Sequence, residues 1–64
     1  MTVAEVIKKI RWEMRLSQQA LADEIGCTQT AISAYELGQR EPVYRILKRL
    51  DQYAKKNNIK VSFL

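Results

Sequence analysis

The chain contains no histidine, one cysteine, one proline, two glycines and one tryptophan in 64 residues. With Cys27 alone and no histidine, neither an internal disulfide nor a Cys/His zinc cluster can be built, so the usual staples of a very short domain are excluded. No metal, cofactor or small-molecule ligand is expected. Paired carboxylates at a workable spacing and a glycine-rich phosphate loop are also missing, and the chain is too short to enclose a substrate cavity, which argues against an enzyme. No apolar stretch approaches the length of a membrane span, so neither export nor insertion is expected and a reducing cytoplasm is the default location. This length allows one domain over residues 1–64 with one small core, burying about 60% of the unfolded surface. Self-association is the stabilising device that remains.

Eleven Lys and Arg against seven Asp and Glu give a net charge of +4, which suits a polyanionic partner. The distribution says more than the sum. Residues 17–38 hold no Lys or Arg, only Asp23, Glu24 and Glu36, whereas Lys8, Lys9, Arg11 and Arg15 precede them and seven basic residues follow them. A neutral-to-acidic centre between basic flanks would place phosphate contacts on either side of an uncharged reading element.

Hydrophobic spacing predicts a mostly α chain of four helices. Thr2 and Glu5 form a capping-box pattern ahead of Val3, Val6, Ile7, Ile10 and Met14, giving a first helix over 3–14. Ser17 offers the next N-cap, and Leu21, Ala22 and Ile25 run up to a stop at Gly26, giving 18–25. Thr28 starts a third helix over 29–37, with Ala31, Ile32 and Tyr35 facing inward and Gly38 behind it. Glu41-Pro42 marks the start of a fourth, second in length to the first, carrying Val43, Ile46, Leu47, Leu50, Tyr53 and Ala54 to an end near Asn57-Asn58. Ile59, Val61 and Phe63 then alternate with Lys60 and Ser62, a short strand-like tail over 58–64. A lone strand needs a partner, so Ile59, Val61, Phe63 and Tyr53 are expected at a contact with a second copy.

The two short central helices and the Gly26-Cys27-Thr28 turn make a helix-turn-helix pattern over 18–37, in which the first helix braces and the second enters the DNA major groove. The run 17–38, with Arg40-Glu41-Pro42 behind it, resembles the Cro/C1-type repressor family, with Leu21-Ala22, Gly26, Ile32, Glu36 and Gly38 in register. The likeness extends over about residues 3–50. It implies a four-helix, lambda-repressor-like domain in a cytosolic regulator, commonly a phage, prophage or plasmid repressor, that binds a palindromic operator as a homodimer. By the same resemblance Gln18 touches a phosphate and braces the reading helix, Gln29 contacts a base, and Thr30, Ser33 and Ala34 are the other groove-facing positions. Arg11 and Glu36 match an ion pair that ties the first helix to the end of the third. Asp51 and Lys56 depart from the family pattern, standing where apolar residues are usual.

The residues agree with that reading on chemical grounds. Gln29, Thr30, Ser33 and Ala34 form an uncharged outward face, where glutamine can pair bidentately with adenine and threonine or alanine can pack on a thymine methyl. Arg11, Arg15, Arg40 and Gln18 are the expected phosphate contacts, with Arg45 and Lys48 behind them. Blander readings apply to other residues: Cys27 as a small filler in the turn, and Trp12 and Tyr44 as core or interface side chains. The rival function is a protein-interaction module of the same fold, antitoxin-like or coactivator-like, which would favour an apolar outward face on the third helix.

Overall fold

A computed structural model describes residues 1–62, which form helices α1 (Val3–Met14), α2 (Gln18–Ile25), α3 (Gln29–Glu36) and α4 (Tyr44–Lys56). The first three begin where a hydroxyl is available. Thr2, Ser17 and Thr28 accept the backbone N–H of Glu5, Ala20 and Ala31 at 3.0 to 3.1 Å, each cap contributing about 1 kcal/mol. The Thr2 N–H donates back to the Glu5 carboxylate at 2.7 Å, completing the capping box and holding the Glu5 carboxyl below its ordinary range. That small contribution is present above the ordinary carboxylate pKa and fades as pH falls through the lowered one.

Every helix is followed by a residue in the left-handed region: Arg15 (φ 54°), Gly26 (φ 83°), Gly38 (φ 72°) and Asn58 (φ 59°). Each turns the chain back so that the next N–H closes on the last helical turn, as in Leu16 to the Arg11 carbonyl, Cys27 to Ala22, Gln39 to Ala34 and Ile59 to Ala54, at 2.8 to 3.0 Å. Gly26 also lets Arg49 approach the backbone closely. A Cβ there would stand 2.8 Å from Arg49 Nη1, which donates to the Ile25 carbonyl at 3.1 Å and so caps α2 from α4.

The core draws on all four helices, with Val6, Ile7, Ile10, Leu21, Ile32 and Leu50 fully buried and Ala22, Ile25, Ala31, Tyr35, Ile46 and Ala54 around them. Each large aliphatic side chain removed from water contributes about 1.5 to 3 kcal/mol. Among the described residues no charged or polar side chain is buried and no helix is long and apolar enough to cross a membrane.

Three expectations about elements change. Pro42 is buried ahead of α4 and does not open it: Val43 is the N-cap, without a side-chain cap bond and outside the apolar stripe, and α4 with 13 residues is longer than α1 with 12. Leu37 caps α3 and lies outside it. Residues 59–62 form no strand. Asn58 turns the chain so that Ile59, expected at a contact between copies, enters the core of its own chain. The tail then lies along α1, with the Lys60 carbonyl accepting from Lys9 Nζ and the Ser62 carbonyl from the Met1 amino group. Phe63 lies outside the described residues.

Candidate nucleic-acid interface

Burial of Ala31, Ile32 and Tyr35 fixes the rotation of α3, leaving Gln29 and Thr30 exposed and Ser33 half-exposed one turn further on. Ala34, expected to point outward with them, is only 8% exposed. The Gly38-Gln39 turn closes on the Ala34 carbonyl and folds over that end of the helix. The outward face is therefore Gln29, Thr30 and Ser33, without charge and close to the helix N-terminus.

A relay of hydrogen bonds supports this face from behind. Gln29 Nε2 donates to Gln18 Oε1 at 3.0 Å, Gln18 Nε2 donates to Glu36 Oε1 at 3.3 Å, and Arg11 Nη1 donates to both Glu36 oxygens at 2.8 and 2.7 Å. Arg11 Nε reaches the Leu16 carbonyl at 3.1 Å, so α1, α2 and α3 are joined through one carboxylate whose side chain is 9% exposed. The donors and acceptors left over are those that DNA requires. Gln29 keeps its Oε1 and one N–H, the pair that adenine N6 and N7 require; Gln18 keeps one N–H and Arg11 keeps Nη2, each suited to a phosphate oxygen. The Arg11 guanidinium also offsets the Glu36 charge, which would otherwise repel a polyanion.

The sequence model of the helix-turn-helix family matches residues 7–57. The chain belongs to that family. The Cro/C1-type resemblance carried by residues 17–42 stands with it. In Bacillus subtilis (strain 168), a protein named as an uncharacterized HTH-type transcriptional regulator, YqaE, is 50% identical over 44 residues, covering 69% of this chain and 38% of that protein. The chain thus spans less than two-fifths of that relative's length. No solved structure gives a significant match.

Around this helix-turn-helix the cations are unevenly engaged. Arg40 is exposed, with its guanidinium carbon 5.9 Å from the centre of the Tyr35 ring, which ties the loop before α4 to α3. Arg15, Arg45 and Lys48 are exposed and form no ion pair among the described residues. Arg15 occupies a left-handed position that glycine adopts more easily, so Arg15→Gly is expected to raise stability by about 1 kcal/mol. A denaturant titration checks this; unchanged or lower stability would show that the arginine side chain itself holds the α1 terminus.

Five further side chains lie around this surface or behind it. Trp12 is 85% exposed and so is no part of the core. Cys27 is half-buried against the core, and burial pushes its thiol up while Arg49 partly opposes the shift, as suits a filler of the turn. Arg49 is the residue that sequence reasoning missed: its partner lies 24 positions away, and only the glycine at 26 hinted at a close approach. Tyr53 and Val61 are partly buried against the core of their own chain.

Proposed function

We propose that this chain is a sequence-specific DNA-binding transcriptional regulator, a Cro-like repressor acting in the cytoplasm. It binds a palindromic operator as a homodimer, laying α3 of each copy in successive major grooves about 34 Å apart. Gln29, Thr30 and Ser33 read base edges, while Gln18, Arg11, Arg15 and Arg40 hold phosphates. The observation that carries this reading is the Gln29–Gln18–Glu36–Arg11 relay, which orients one uncharged amide for bases and leaves flanking donors for the backbone. The name of the Bacillus subtilis relative, an HTH-type transcriptional regulator, supports it. With Ile59 inside its own core, the second copy packs in this proposal on Leu37, Val43 and Tyr44, three of the exposed large apolar side chains, which flank the loop that links α3 to α4.

Salt dependence tests the proposal. Three arginines from each of two copies would neutralise six phosphates, so the logarithm of the operator association constant should fall with the logarithm of salt with a slope of about −5. A protein-interaction module would show no such slope and no preference for one palindrome, and that outcome would overturn the reading.

A further inference from the structure

The cleft at the end of α1 shares Arg11 with the base-reading relay, which uses none of its other lining residues. It is an open depression of about 680 Å³ lined by Lys8, Arg11, Trp12, Glu13, Arg15 and Leu16. Lys8 and Trp12, four apart, share one face of α1, and Arg15, the left-handed residue that ends the helix, lines the cleft beyond them, so that a cation stands on either side of the aromatic ring in the chain. Glu13, the only carboxylate there, has Lys9 Nζ 4.0 Å away. Tryptophan is on average one of the more buried side chains, yet Trp12 is 85% exposed, left uncovered by the other described residues.

We propose that this cleft is an accessory seat for the sugar–phosphate backbone of duplex DNA, outside the groove that α3 reads. Trp12 packs its ring on a deoxyribose while Lys8 and Arg15 take the phosphates on either side. The inference rests on the DNA-binding reading above and adds a contact that carries no base information. Two observations select this occupant. The charge around Trp12 is positive: Lys8 and Arg15 form no ion pair among the described residues, Arg11 is paired with Glu36, and the one carboxylate, Glu13, is paired with Lys9. The cleft is also continuous with the reading site, because the Arg11 that lines it is the Arg11 held by Glu36 in the relay to Gln18 and Gln29. A duplex lying on α3 and held by the free Nη2 of Arg11 brings its backbone to the mouth of the cleft.

Trp12 is the only tryptophan, so its fluorescence reports on the site alone. In the full chain with a selected operator duplex, acrylamide quenching of Trp12 should fall severalfold on binding. Trp12→Ala, at an exposed position where folding is not at stake, should weaken binding to the operator and to an unrelated duplex by the same factor, about tenfold, with the salt slope unchanged. Arg15→Gln should also weaken both, and should reduce the salt slope by about one for each copy bound. Gln29→Ala should lose site preference yet still shield Trp12, which separates this contact from the assignment of the base-reading residues. A Trp12 as open to acrylamide in the complex as in the free chain would overturn the inference while leaving groove reading intact. Shielding by polyglutamate at equal concentration would overturn it in favour of an acidic protein segment, and failure to bind any duplex would overturn both proposals.

Discussion

Replacing Ile32 by alanine is expected to cost about 3 kcal/mol of folding stability, the sum of lost transfer free energy and the cavity left behind. Ile32 is fully buried in the middle of α3 and belongs to the cluster that joins all four helices. A domain of this length has a total margin of about 3 to 10 kcal/mol, so the variant should lose about a third of its stability or more. Its urea midpoint should drop steeply, with loss of helical signal at 222 nm as the readout. A loss below about 1 kcal/mol would mean that the site collapses around the smaller side chain and that α3 is anchored elsewhere.

The second large effect should follow from Glu36→Ala, which removes the carboxylate shared by Arg11 and Gln18. A charge-assisted, bidentate contact with one partner largely buried is expected to contribute about 2 kcal/mol, less than a fully buried pair because Arg11 is 28% exposed. Arg11→Ala should cost a similar amount, and the double variant should cost less than the two together, since the second change has no partner left to remove. Additive losses would show that the pair is not coupled in solution. The DNA-binding consequence separates two roles of Glu36. Affinity for unrelated DNA should hold or rise as a negative charge leaves the surface, while preference for the operator falls because Gln18 loses its acceptor and Gln29 the side chain that orients it.

How far the sequence discloses this arrangement depends on how local each cause is. Thr2, Ser17 and Thr28 act on N–H groups three residues away, and the apolar residues of α2 and α3 repeat within a turn or two, so both helices and the turn between them are legible. The family pattern adds the Arg11–Glu36 pair, whose members are 25 residues apart and which helical spacing alone could not have joined. Other features depend on tertiary neighbours. Val43 and Pro42 are both apolar, and only packing decides that one is exposed and the other buried. Ala34 carries no polarity to show whether a later turn will cover it.

The tail is the clearest case of a local signal with two readings. Ile59, Val61 and Phe63 alternate as a strand would, but five residues of alternation do not distinguish a paired strand from one apolar anchor followed by an extended end. The deciding residue is Asn58, a side chain that tolerates the left-handed region and aims Ile59 at Ala54 and the core. Trp12 misleads in the opposite direction, since an aromatic at a helix end is more often covered than open.

Selection of binding sites from random duplex DNA, run in parallel on the native chain and on Gln29→Ala, tests most directly whether α3 reads bases. The native chain should enrich one palindrome with an A·T pair in each half-site. The variant should fold normally and still bind DNA, but lose discrimination at that pair by about 1 to 3 kcal/mol. Enrichment of the same palindrome by the variant with undiminished stringency would contradict the account.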